Sequence, residues 1–264
     1  MRFYKYCGAG NDFILLDCRE QTVTNAPELA KRLCDRHFGV GADGLMLVER
    51  PTRGGDCKML FYNNDGSTAE MCGNGARCIS KFCHDFGLSG DEQRIETPAG
   101  LVIGTRVDDN RYRVRLNPPR NVRLQTVAAG VTCDYLELGD PGIPHAVIVT
   151  DLSQDRESLR QLARKVRYAP EFPRGANINL CMLTGENALR LLTYERGVED
   201  FTLACGTGNG ATAAALTLRG LVSGKGTRIQ NDGGLLEVDK IPETPLGIDL
   251  TGEACLVFTG EIEI

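Results

Sequence analysis

The sequence predicts a mixed α/β fold of two related halves, and three observations carry that prediction. A cysteine followed at once by Gly-x-Gly occurs twice, as MCGNGARC at 71–78 and ACGTGNGA at 204–211. Each copy opens a segment with helical spacing, and strand-like alternation surrounds both. Matching residues keep nearly one separation along the chain. Gly142 lies 134 residues after Gly8, Leu162 133 after Leu29, and Gly175 of a GAN run 134 after Gly41 of a GAD run. Tyr194 lies 132 after Tyr62, Cys205 133 after Cys72, and Arg228 134 after Arg94, both of these arginines opening RI-x4-GL. Six anchors at one offset indicate an internal duplication, and so long a period makes each copy a domain rather than a solenoid turn. The cleft between two such copies is the expected ligand site.

Taken in order, RFYKYCGAGNDFILLD reads as a strand, a Gly-rich turn at Gly8 to Asp12, and a second strand ending near Asp17. Pro27 opens a helix with Leu29, Ala30, Leu33 and Cys34 on one face, stopping before Gly39. GVGADGLMLVE is loop and strand, and CKMLFYNNDGS is a strand entering an Asn-Asp-Gly turn. Behind Cys72, the residues Ala76, Ile79, Phe82, Cys83 and Phe86 recur at helical spacing up to Gly87. Residues 94–116 alternate as strands around a turn at Asp108 to Asn110, and Pro118–Pro119 mark a boundary. The second half repeats this order.

The totals exclude several classes of function. Of 264 residues, 42% are hydrophobic and 25% charged, and no apolar run approaches the roughly 18 residues needed to span a bilayer. A net charge of −5, with both signs spread along the chain, supplies no basic stripe for nucleic acid and no polybasic membrane patch. The N-terminus has no apolar segment with a small-residue cleavage site, so the expected location is the cytoplasm. Eleven cysteines are then expected to be reduced. Most of them (Cys7, Cys18, Cys34, Cys57, Cys78, Cys83, Cys133, Cys181 and Cys255) should act as small hydrophobes. The expected partner is a small molecule.

Cys72 and Cys205 are different. The first N–H groups of a helix have no internal acceptor, and the helix dipole adds about half a positive charge there. A cysteine at that point can have a pKa of about 3.5 to 7.5. The glycines that follow allow a carboxylate to approach the backbone. Two such sulfurs on opposite sides of one ligand could remove a proton from a carbon acid and return one to the other face, which is racemisation or epimerisation beside a carboxylate. Structural zinc fits less well, because Cys72, Cys78 and Cys83 lack a short paired spacing. A dinucleotide site lacks its acidic residue, and a Cys-His hydrolase leaves the second cysteine unexplained. His145, in GIPHAV, falls in the register of GAGNDF in the first half and could bind substrate or orient a thiol. Glu195 and Arg196 fall where Asn63 and Asn64 lie, and Arg suits a carboxylate. Asn11, Asn64 and Asn177 occupy Gly-rich or turn contexts, where asparagine is also favoured for its backbone geometry alone.

With these residues in view, the chain resembles the diaminopimelate epimerase family. The likeness rests on GAGNDF, GVGADG, NNDGS-x3-MCGNGARC, the PH of GIPHAV, the GAN segment, YERG and ACGTGNGA, and it covers nearly the whole chain. The resemblance implies a pyridoxal-phosphate-independent enzyme with two pseudosymmetric domains, each a mostly antiparallel sheet rolled around a central helix. The domains would be 1–117, with a returning strand at 252–264, and 118–251. It makes Cys72 and Cys205 the acid/base pair, with backbone at Gly73, Asn74, Gly206 and Thr207 holding the reacting carboxylate. His145 and Glu195 would contact the reacting end, and Asn11, Asn64, Asn177 and Arg196 the distal centre of the substrate. It implies no metal and no organic cofactor, and leaves a homodimer open. Many members have Asn where this chain has Ile143, some have Gln where it has Gly44, and Phe201 replaces a usually polar residue; substrate choice would be made there. The alternatives are a racemase of another amino acid, such as histidine or lanthionine, and a non-catalytic amino-acid-binding or redox-switch protein.

Overall fold

The computed structural model describes residues 1–69, 71–139, 142–241 and 247–263. By internal contacts the chain divides into two compact units, Met1–Val114 with Gly252–Ile264, and Arg115–Thr251.

In the first unit the hairpin β1 (Arg2–Gly8) and β2 (Asn11–Asp17) leads into α1 (Ala26–Cys34) and then β3 (Gly44–Glu49), which pairs parallel to β2. The antiparallel strand β4 (Cys57–Asn63) and the short β5 (Thr68–Ala69) precede the central helix α2 (Gly73–Asp85). From it the chain returns parallel to β4 as β6 (Glu92–Thr97), followed antiparallel by β7 (Gly100–Arg106) and β8 (Arg111–Leu116). Each parallel pair is joined through a helix, as parallel strands require. The amphipathic α1 buries Leu29, Ala30, Leu33 and Cys34 against Ile14, Leu16, Leu45 and Leu47, each large side chain contributing about 1.5–3 kcal/mol. The other strand face meets α2, where Phe82 stacks on Phe86 at 4.5 Å and meets Tyr4 edge-on at 5.3 Å. Phe86, expected within the helix, is its C-cap.

The second unit repeats this plan. A hairpin of β10 (Val131–Gly139) and β11 (Gly142–Val149) is followed by α3 (Arg156–Arg167) and by β12 (Asn177–Gly185), parallel to β11. Then come β13 (Ala188–Tyr194), β14 (Phe201–Thr202), the central helix α4 (Gly206–Leu218), β15 (Thr227–Asn231) parallel to β13, and β16 (Gly234–Ile241). The strand β17 (Gly247–Glu253) closes the series. Asp155 caps α3 by accepting from the Ser158 N–H at 2.9 Å, and Leu159, Ala163 and Val166 pack on Ile148, Ile178 and Leu180. Helix α4 is alanine-rich and buried on most sides. Gly41 and Gly175, matched in the two copies, both have positive φ (79° and 63°) just ahead of β3 and β12, which explains glycine at both.

Each hairpin also receives an outer antiparallel strand. For β10 it is the preceding β9 (Pro119–Ala128); for β1 it is β18 (Cys255–Glu261), from the far end of the chain. The pairing also refines the repeat. Tyr62 lies opposite Leu45 and Met46 opposite Phe61; Tyr194 lies opposite Ile178 and Asn179 opposite Thr193. Phe13 pairs with Gly44, and His145 with Asn177. His145 therefore occupies the place of Phe13, two residues beyond the Asn11 suggested by the sequence offset. Among the described residues no helix is long and apolar enough to cross a membrane.

Candidate active site

Cys72 is the N-cap of α2. Its extended backbone (φ −134°, ψ 119°) turns the side chain back over the helix start, where Sγ accepts from the Gly75 N–H at 3.4 Å. Around this turn runs a chain of polar contacts. The Asn74 amide donates to Asn11 Oδ1 at 2.5 Å, and Asn11 donates in turn to Asp43 Oδ2 at 2.9 Å. Arg36 grips Asp43 at 2.9 Å and Asp12 through two bonds at 2.8 and 3.0 Å. Burial raises the Asp12 pKa, but Arg36 and Lys5 outweigh it and hold the carboxyl down at about 2. On the helix side, Arg77 is fully buried and donates to Asn74 Oδ1 at 2.9 Å. Burial pushes its guanidinium pKa down, while the Cys78 and Cys72 sulfurs act the other way. Asn11 thus spends one end of its amide on Asn74 and the other on Asp43. Asn64 is exposed and joins the group through its backbone N–H, which donates to Asp43 O at 3.1 Å.

Cys205 repeats the geometry at α4, with φ −115°, ψ 113°, and Sγ accepting from the Gly208 N–H at 3.4 Å. Thr207 Oγ1 also lies 3.4 Å from this sulfur. Beneath the turn, Asn179 and Thr193 come so close that a Cβ on Gly208 would lie 2.5 Å from Asn179 Oδ1 and 3.0 Å from Thr193 Oγ1. Asn179 Nδ2 reaches His145 Nδ1 at 3.2 Å. Burial, with the Arg196 charge adding to it, depresses the His145 pKa to about 3, so the ring is neutral at pH 7. Asn177, next to His145 in the sheet, accepts from the Arg196 N–H at 2.8 Å, and Glu195 accepts from the Thr202 hydroxyl at 2.5 Å. Asn177, at the start of β12, thus anchors the turn after β13 that carries Glu195 and Arg196.

Of the remaining cysteines, Cys18, Cys34, Cys57, Cys78, Cys83, Cys133 and Cys181 are buried as small hydrophobes, whereas Cys7 and Cys255 are only half-buried. Burial raises Cys18, Cys34 and Cys181 to about 12 and Cys133 to about 11, far from thiolate chemistry at neutral pH. The sequence reading missed Asp43, Arg77, Asn179 and Thr193. Of the three positions expected to set substrate choice, Ile143 is 37% exposed, whereas Gly44 is walled in: a Cβ there would lie 2.3 Å from the Phe61 ring. Phe201 packs edge-on against Tyr194 at 5.8 Å, with Arg156 over its ring at 5.2 Å, which is a core role.

Comparison with known proteins agrees with this layout. The family model described as diaminopimelate epimerase matches residues 3–122 and 139–257. Relatives named diaminopimelate epimerase from Aquifex aeolicus and Archaeoglobus fulgidus are 34% and 36% identical, over 99% of this chain and 98% and 96% of theirs. One of the same name from Thermosynechococcus vestitus is 37% identical over 99% of both. Among solved structures, a probable proline racemase from Agrobacterium radiobacter superimposes with TM-score 0.73 at 17% identity, covering 100% of this chain and 93% of that one. A predicted epimerase from Pseudomonas aeruginosa does so with TM-score 0.70 at 11% identity, covering 100% and 99%. The structural matches establish the shared mixed α/β fold. The sequence matches, which run through both cysteine turns, go further: the chain belongs to the diaminopimelate epimerase family.

Proposed function

We propose that the protein interconverts LL- and meso-diaminopimelate by two-base proton transfer, with Cys72 and Cys205 acting on opposite faces of one α-carbon. The observation that carries this reading is the repeated N-cap cysteine, each Sγ held at 3.4 Å by the N–H three residues on. A thiolate on one face takes the α-proton, and the thiol on the other face delivers its own to the opposite side. Configuration inverts, and the sulfurs exchange protonation states.

The N–H groups of residues 73, 74, 206 and 207 have no acceptor within their own helices, and they suit the substrate carboxylate. Charge developing there in the transition state is stabilised by donors already in place. His145 and Glu195 serve the reacting end, and Asn11, Asn64, Asn177 and Arg196 the distal one. For Asn11 and Asn177, whose amides already hold neighbours, that service is through Asn74 and through the Arg196 turn. No metal or organic cofactor enters the scheme. The proposed location is the cytoplasm.

In deuterated water the product α-carbon should acquire deuterium. Cys72→Ala and Cys205→Ala should each reduce epimerisation by roughly 10²- to 10⁴-fold. Full turnover by either variant would rule out the two-base scheme. A panel of amino acids followed by chiral chromatography separates diaminopimelate from other substrates, with histidine and lanthionine as the first rivals.

A further inference from the structure

We propose that Asn179 is a positioning residue: it holds His145 as the neutral Nε2–H tautomer, leaving one buried N–H donor for an acceptor on the ligand. The neighbours of the Asn179 amide determine which of its ends faces His145. Nδ2 lies 3.4 Å from Ala146 O and 3.5 Å from Asn177 O, and backbone carbonyls can only accept. At the other end Oδ1 accepts from the Thr193 hydroxyl at 3.0 Å. The two carbonyls therefore fix the amide orientation, the Thr193 hydroxyl complies with it, and the group facing His145 Nδ1 at 3.2 Å is a donor. Nδ1 must then present its lone pair, so the single proton of the neutral ring sits on Nε2.

That Nε2 is buried and has no hydrogen-bond partner among the described residues, in a side chain that is 0% exposed. An orphan donor of this kind is costly unless something arrives to accept from it. The device is also tied to the cysteine turn. Only a glycine at 208 admits Asn179 Oδ1 and Thr193 Oγ1 so close to α4, and the same Gly208 donates its N–H to Cys205 Sγ. The first unit has no equivalent, since Phe13, Met46 and Phe61 occupy the matching places.

The ligand half of this inference rests on the reaction proposed above; the tautomer half does not. It is tested on the full chain labelled with 15N-histidine, by long-range 1H–15N correlation at pH 7, with His145 identified by the signals lost in His145→Gln. The expected wild-type pattern is a protonated Nε2 and an unprotonated Nδ1. Asn179→Asp, which can only accept, should move a proton to Nδ1 and lower kcat/KM by ~10²-fold. Thr193→Ser, which keeps the hydroxyl, should retain both the pattern and the rate. If Asn179→Asp fails to fold, Thr193→Val should show a tautomer mixture instead. A wild-type ring protonated on Nδ1, or averaging between tautomers, overturns the assignment. An Asn179→Asp protein with altered ring protonation but wild-type kcat/KM overturns the ligand half. An Nε2–H spectrum in a protein that exchanges no α-proton would uphold the tautomer and count against the reaction.

Discussion

The two cysteine turns have the same backbone and different floors. Cys72 and Cys205 share N-cap geometry and the same sulfur contact, yet the Cys72 turn lies against Met46 and the Cys205 turn against Asn179 and Thr193, with Phe13 and Phe61 at the strand positions that match His145 and Thr193. Duplication preserved what a thiol at a helix start requires and let the support beneath diverge. The asymmetry continues above the floor. One turn beyond Cys72 lies a buried arginine, Arg77, and the matching residue beyond Cys205 is Gly210, where a Cβ would meet Leu116 at 2.6 Å. Equivalent positions in a repeat need not be chemically equivalent.

The largest test of this contrast is acid stability. The folded-state pKa of His145, about 3, lies below the ordinary 6.5, so the unfolded chain binds the extra proton between those values. The stability this group contributes is intact above pH 6.5 and is lost as pH falls toward 3, by several kcal/mol in all. His145→Gln keeps an N–H donor and removes the titration. Its denaturation midpoint should vary distinctly less over that window than that of the wild type. An unchanged acid limb would mean that His145 is protonated while folded.

Exchanging the floors should be one-sided. Met46→Asn introduces an amide beside Phe61 and Phe13, without the imidazole and hydroxyl that Asn179 has, and should cost about 3 kcal/mol in urea melts. A near-neutral result would show that the first floor can rearrange. The smallest effect separates the two glycines. At Gly208 a Cβ meets the fixed polar pair, and Gly208→Ala should cost about 1–3 kcal/mol. At Gly75 the nearest atom is the flexible Met46 Sδ at 3.1 Å, so the helix propensity gained by Gly75→Ala, up to about 1 kcal/mol, offsets most of the crowding. Equal melting shifts for the two variants would contradict the difference between the floors.

Much of this was legible in the sequence because it is periodic. The helices around Leu29 and Ile79, the hairpins, and the pair Cys72 and Cys205 follow from spacing, caps and the repeat offset. The floor was not legible from periodicity, because Asn-Ile-Asn-Leu-Cys in β12 alternates as any strand does, and a buried asparagine looks like an exposed one until its partners are known. The signal lay in the difference between the copies: Met46 and Asn179 are equivalent, and one is apolar. His145 was set against Asn11 because the offset was anchored on Gly8 and Gly142, whereas the strand pairing places it at Phe13. Gly44 and Phe201 stood out by comparison with relatives, and packing explains both without reference to a ligand.

The origin of the outer strands has a consequence for the order in which the protein can be finished. The second unit finds β9 immediately ahead of β10, so all its strands emerge from the ribosome in one continuous stretch. The first unit must wait for β18, about 150 residues after Val114, which at ordinary translation speeds is roughly 7 to 30 s. Throughout that interval the β1 edge that β18 will cover stays open to any passing strand. The half of the protein made first is therefore the half completed last, and a nascent chain stalled before residue 255 would present a sticky edge to the cell.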